Sequence, residues 1–304
     1  MKKKLCAAVL ALSLACPSFH AQNLVNETPE QKDKRMEWFH KAKLGIFIHW
    51  GIYAVKGVSE SWSFYNKYLP HDEYLKQCEG FTASKYDPKA WVELIKESGA
   101  QYTVLTTKHH DGVALWDTKQ NGISVVKNTP AKRDLVTPFV NEVRKAGLRL
   151  GLYYSLPDWS HPDYPNMTRT DVRYKDDPKR WDNFCKFNFG QLAELNNTYK
   201  PDLYWFDGDW EMSAETWRAK EIMQLLRSNN KNVIVNSRIT GYGDYATPEQ
   251  GVPVVRPEDK YWELCMTMND SWGYQHNDKN YKTPHMLLRT FVDCLSNGGN
   301  MLMD

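Results

Sequence analysis

The 304-residue chain carries 39 Lys and Arg against 37 Asp and Glu, a formal net charge of +2 spread along its length. No basic block and no interleaved basic and aromatic motif marks a nucleic-acid groove, so that class of partner is set aside. Aromatic residues make up 13%, with 12 Trp; such rings fill cores, and their amphipathic faces also wall sugar sites.

In chain order, residues 1–21 (MKKKLCAAVLALSLACPSFHA) show three lysines, an apolar run and a small-residue end near Ala21. This is the pattern of a secretory signal peptide. The run is too short to span a bilayer, and no later segment reaches the needed length, so an exported protein without stable membrane insertion is expected. Cys16 in LSLAC leaves lipoprotein processing as the lesser alternative, because Ser13 stands where a lipobox has leucine. Export places the chain in a periplasmic or extracellular setting. Residues 22–304 then fit one large α/β domain or two ordinary ones.

Strand-like runs at 43–51, 101–110, 149–156, 202–208, 232–238 and 300–304 alternate with segments bearing helix punctuation. Asp87-Pro88, Asp177-Pro178 and Thr283-Pro284 open helices, Ser213 caps another, and Gly99, Gly147 and Gly298 close them. Repeated βα units predict an α/β fold with a parallel sheet, a (β/α)8 (TIM-type) barrel before a doubly wound sheet. No glycine fingerprint follows the first strand, where His49-Trp50-Gly51 stands instead. Outside the leader, Cys78, Cys185, Cys265 and Cys294 match neither a zinc pattern nor a small disulfide framework, and buried free thiols are expected.

The residues that carry chemistry gather at strand ends. His49, His109, His110, Tyr153, Tyr154, Asp207 and Arg238 all fall where a barrel builds its active site. Neighbouring histidines in a regular strand point to opposite faces, so one of His109 and His110 is expected inside and the other at the rim. The first strand lacks a His-x-His pair, which favours hydroxyl donors over metal ligands; no metal or cofactor is expected. Asp207 in WFDGDW reads as a cap, an ion-pair partner or a catalytic carboxylate. A glycosidic mechanism needs a second acid, and Glu249 or Glu263 could supply it. Desolvation beside Trp262 would raise Glu263, as a general acid requires, and aromatic loops closing over Glu249 would do the same there.

Eight blocks in order, GIFIHWGIY, TKHHDG, GLYYSLPDW, YKPDLYWFDGDW, NSRITG, DYATPE, KYWELCMTMNDSWGY and LSNGGN, resemble the α-L-fucosidases of glycoside hydrolase family 29 from about residue 38 onward. The resemblance implies an irregular (β/α)8-like barrel and a retaining double displacement on a fucosylated oligosaccharide or glycoconjugate. It maps the nucleophile onto Asp207 and fucose-binding positions onto His49, His109, His110, Tyr154, Trp205, Arg238 and Trp272. Glu249, in the TPE block, ranks first as acid/base and Glu263 second. Glu60 is a third candidate, in a substrate-binding loop whose acid–tryptophan pair is here Glu60 and Trp62 with Ser61 between. The family pattern runs on to a closing helix and a β-sandwich, so the barrel is expected to be incomplete at its C-terminal end. That leaves a glycan-binding barrel without catalysis, or a glycosidase for another sugar, as alternatives.

Overall fold

The computed structural model describes residues 27–304; the expected leader at 1–21, with Cys16, lies outside the described residues. Seven strands, β1 (Leu44–Ile48), β2 (Tyr102–Lys108), β3 (Arg149–Ser155), β4 (Leu203–Asp207), β5 (Ile234–Val235), β6 (Glu263–Met266) and β7 (Asn300–Met303), form one sheet in the order β5-β4-β3-β2-β1-β7-β6. Every pairing is parallel. The first strand pairs with both the second and the last, so the sheet curls into a barrel rather than opening as a doubly wound sheet.

Between β5 and β6, residues 244–250 occupy the remaining position. The Asp244 N–H donates to the Val235 carbonyl, and the Cys265 N–H donates to the Pro248 carbonyl. Isolated parallel bridges join Asn236 to Tyr245 and Glu249 to Cys265. This segment reads as loop in sequence because Pro248 and its polar neighbours break any apolar run. Its placement carries Glu249 to the same end of the barrel as Asp207.

Helix starts follow the expected chemistry. Asp87, Asp177 and Thr283 each accept a backbone N–H three residues on, at 3.0, 3.1 and 3.2 Å, and a proline follows each cap. Such caps stabilise a helix end by ~0.5–2 kcal/mol. They open helices Pro88–Glu97, Pro178–Tyr199 and Pro284–Ser296, which cover the barrel between successive strands. Ser213 differs from expectation: it accepts the Thr216 N–H at 3.2 Å in a turn, and the helix begins later, at Ala219. Helix Pro29–Ala42 closes the end where the strands start, packing Phe39 against Tyr102 and Tyr245 with ring centroids 5.9 and 4.4 Å apart.

The barrel interior is built from alternate residues of the strands, among them Phe47, Tyr102, Val104, Tyr153, Trp205 and Cys265. Gly45 on β1 leaves room for the Tyr102 ring, which a side-chain carbon there would meet at 2.3 Å. Among the described residues, Cys78, Cys185, Cys265 and Cys294 are buried and free, as expected. On the outer face, β1, β7 and helix Pro88–Glu97 border an apolar groove of about 760 Å³ lined by Ile46, Ile48, Leu94 and Met303. Among the described residues no helix is long and apolar enough to cross a membrane.

Candidate active site

Where the strands end, Phe47, His49, Trp62, His109, Tyr153, Trp205, Asp207, Trp210, Arg238, Glu249, Cys265 and Trp272 line a cleft of about 190 Å³. Sites for drug-sized ligands run to ~300–1,000 Å³, so this cleft is on the scale of a single sugar ring. A larger cavity, about 1010 Å³, lies beside helix Pro29–Ala42 among charged residues such as Lys34, Glu37 and Arg149. It holds none of the strand-end residues, so the smaller cleft is where the chemistry converges.

Asp207 ends β4 at the foot of the cleft. Its Oδ1 accepts from Arg238 Nη1 at 2.7 Å and its Oδ2 from the Tyr153 hydroxyl at 2.9 Å. His110 Nε2 lies 3.4 Å from Oδ2. Burial alone would raise this carboxyl, but the Arg238 guanidinium, aided by His110, overrides it and holds Asp207 well below the usual carboxylate range. The chain turns sharply at the next residue. Gly208 has a φ of 86°, and a side-chain carbon there would meet Pro157 at 2.2 Å; only glycine fits both demands.

Arg238 also pairs with Glu249, so one guanidinium joins the two carboxylates across the cleft. Glu249 is partly open to solvent, with 37% of its side chain exposed. The Arg238 guanidinium stacks over Trp205 at 4.5 Å, and Trp205 stacks on Tyr153 at 5.8 Å and 19°, so the charged bridge rests on an aromatic floor.

The histidines divide their tasks. His49 Nδ1 faces Asp304 Oδ1 at 2.7 Å; burial disfavours its imidazolium, but the Asp304 carboxylate more than offsets that and raises the His49 pKa. His109 Nδ1 bonds to Ser61, and burial together with the other two histidines keeps its pKa low. The expectation that one of His109 and His110 would sit at the rim is corrected. β2 carries an irregularity at Thr107, so that Thr106 pairs with Tyr153 and Lys108 with Tyr154. After it His109 lines the cleft, whereas His110 is fully buried behind Asp207, its Nδ1 2.6 Å from Ser155 Oγ. Among the described residues no group of three or more His, Cys, Asp or Glu side chains is arranged to hold a metal ion.

Three further expectations change. Tyr154 does not reach the cleft: its hydroxyl bonds to Asn188 and Gln191 on helix Pro178–Tyr199 at 2.7 and 2.9 Å. Alternation puts Tyr153 inside instead, opposite Trp205 in the register. Glu263 is not part of the cleft wall. It lies one inward position below Cys265, with Tyr102 and Trp205 donating to its two oxygens at 2.5 and 3.0 Å, so it sits beneath the floor of the cleft, where Glu249 is the carboxylate that faces Asp207. Glu60 is likewise absent from the wall. Its buried carboxylate accepts the Gly273 N–H and so anchors the loop that carries Trp272, while Trp62, two residues on, does line the cleft.

Burial pushes the Glu263 carboxyl from its ordinary 4.5 up to about 7, against the two hydrogen bonds that favour its anion. The folded state then holds a proton that the unfolded chain has released, so stability falls as pH rises from about 4.5 to 7. Glu263→Gln cannot ionise and is expected to lack that decline. Tm measured for both proteins across this window checks it, and parallel curves would show that Glu263 does not titrate there.

The α-L-fucosidase family model matches residues 12–304. Mouse tissue α-L-fucosidase is 33% identical over 301 residues, which cover 88% of this chain and 64% of that protein; the chain thus spans less than two thirds of that relative's length. Among solved structures, α-L-fucosidase isoenzyme 1 from Paenibacillus thiaminolyticus superposes with a TM-score of 0.84 at 37% identity, over 90% of this chain and 70% of that one. A family 29 α-L-fucosidase from Bacteroides thetaiotaomicron, trapped as a covalent intermediate with 2-fluoro-fucosyl fluoride, gives 0.81 at 32% identity over 94% and 71%.

Proposed function

This chain belongs to the α-L-fucosidase family, glycoside hydrolase family 29, and from that premise we propose that it is a retaining, exo-acting α-L-fucosidase. The observation that carries the reading is the pair of carboxylates, Asp207 and Glu249, held by one arginine in a cleft the size of one sugar. Asp207, kept ionised, attacks the anomeric carbon and the glycosidic bond to the leaving oxygen breaks, giving a covalent fucosyl-enzyme. Glu249 protonates that oxygen and then takes a proton from the water that releases fucose. The trapped intermediate of the Bacteroides relative supports the same route here.

The remaining side chains suit L-fucose, which carries hydroxyls on one side and a C5 methyl on the other. His49, His109 and Arg238 supply hydrogen-bonding groups, and Phe47, Trp205 and Trp272 supply apolar wall. Because the cleft is closed below by Trp205 and Tyr153, it accepts a terminal residue. Export through the 1–21 segment would bring the enzyme to fucosylated glycans outside the cytoplasm.

The test is hydrolysis of aryl α-L-fucoside by residues 22–304, with the corresponding α-galactoside as control and the first-formed sugar followed by NMR. Release of α-L-fucose, unaffected by prolonged chelation, is the expected result. Galactoside preference, an inverted product or loss of activity to chelator that zinc restores would each overturn it. Fucose binding without turnover would leave a glycan-binding barrel.

A further inference from the structure

Asp304 stands 255 residues from His49 in sequence and beside it in the barrel. Strand β7 pairs with β1, Ile46 against Met303, so the residue after β7 comes level with the end of β1. Its backbone is fixed there: the Asp304 N–H donates to the Met266 carbonyl at 2.9 Å, and its own carbonyl accepts from the Met268 N–H at 2.9 Å. Oδ1 lies 2.7 Å from His49 Nδ1, with 4% of the aspartate and 6% of the histidine side chain exposed. Phe47 and Trp272 hold the imidazole from other sides, with ring centroids 4.2 and 5.4 Å away. An ionised carboxylate only accepts, so Nδ1 carries a proton, and Nε2 is the nitrogen left for the cleft that His49 lines. Charge then decides what Nε2 does. On a neutral ring it would accept, and Asp304 would be a buried anion without a counter-charge, which is strongly unfavourable. Also facing the ring are Glu60, Asp207, His109 and Tyr153, none of them a fixed cation. Burial disfavours the His49 imidazolium, but Asp304, then Glu60 and Asp207, outweigh it. His109, which burial and the other two histidines keep neutral, adds no competing charge.

We propose that Asp304 is a positioning residue for the reaction: it holds His49 as an imidazolium whose Nε2–H donates to one hydroxyl of the bound sugar. This rests on the fucosidase reading of the cleft. Asp304 is not part of the cleft wall and acts through His49. A hydrogen bond from a charged donor is about twice as strong as one between neutral groups, so a single ring hydroxyl carries a disproportionate share of the affinity.

Asp304→Asn keeps an acceptor for the Nδ1–H but removes the charge. Nitrogen NMR of labelled histidines at pH 6.5, where an ordinary imidazole is half protonated, reads the first half of the proposal. His49, assigned by the loss of its signals in His49→Gln, is expected mainly as imidazolium in the unmodified protein and mainly neutral in Asp304→Asn. A neutral His49 in the unmodified protein would overturn the proposal, whether or not Asp304→Asn folds. Calorimetric binding of L-fucose, and of the three monodeoxy forms that each lack one ring hydroxyl, reads the second half. Asp304→Asn is expected to weaken L-fucose about tenfold, and two of the deoxy sugars as much. The third should change less than about twofold, because it lacks the hydroxyl that His49 holds. Equal loss on all three would mark a merely structural disturbance and overturn the positioning role, as would an unchanged affinity for L-fucose. An unmodified protein that binds no L-fucose would overturn the reading of the cleft instead, with the charge on His49 still decided by NMR.

Discussion

Asp207→Ala is expected to lower turnover of an α-L-fucoside by roughly 10³–10⁶-fold, the scale on which loss of a covalent nucleophile acts. The variant leaves the Tyr153 hydroxyl and one edge of the Arg238 guanidinium unpartnered, but Arg238 keeps Glu249, and the barrel layers below do not depend on Asp207. Near-ultraviolet circular dichroism should therefore remain native. Asp207→Asn offers a second reading of the same defect, since it preserves shape but cannot attack. Azide should restore partial activity to the alanine variant, where a small anion fits the vacated space, and much less to the asparagine variant. The product of rescue should be the fucosyl azide of inverted configuration, because a single displacement has replaced two. The carboxyl is held below its ordinary 3.8, so the nucleophile should stay ionised at every pH above that value and contribute no acid limb there. A variant with near-normal turnover would end the assignment.

The fold was readable because its signals are local. Proline after an aspartate or threonine opens a helix wherever it falls, and Gly99 and Gly147 close two of them with φ of 83° and 71°. Asp207 and Arg238 were readable for a related reason: a strand end in a parallel barrel faces the site whatever its neighbours are. What escaped is what depends on phase and on partners distant in sequence. Tyr153 and Tyr154 are equivalent in composition, and only the register against Trp205 separates them, although counting back by twos along β3 toward the barrel interior would have done so. The irregularity at Thr107 has no sequence mark, yet it decides where His110 sits. Glu263 sits beside Trp262 in sequence, but what surrounds it in the barrel is Tyr102 and Trp205, 161 and 58 residues away. Asp304, which faces His49 from 255 residues away, had no local signal at all.

The assignment of the acid/base meets its sharpest test in Glu249→Ala. Protonation of the leaving oxygen matters greatly when that oxygen belongs to a sugar and little when it belongs to an activated nitrophenol. The variant is therefore expected to lose roughly 10²–10⁴-fold on a fucosylated oligosaccharide, the usual contribution of a general acid, with a much smaller loss in the glycosylation step of an activated aryl fucoside. Because the acid must be protonated in that step, the basic limb of the pH profile should disappear as well. The structure adds a feature that the sequence lacked: Glu249 shares Arg238 with Asp207, contacting the guanidinium through Oε1. Removing Glu249 also leaves Asp207 as the carboxylate on Arg238, beside the Thr247 hydroxyl, which should tighten that pair rather than free it. Glu263→Ala provides the contrast. It strips the hydrogen-bond acceptor from Trp205, loosens the floor beneath the sugar and should weaken both substrates alike. Substrate-dependent loss in Glu263→Ala and not in Glu249→Ala would exchange the two roles. Its absence from both would direct the search to Glu60, whose carboxylate would then have to leave the Gly273 N–H to reach the leaving oxygen.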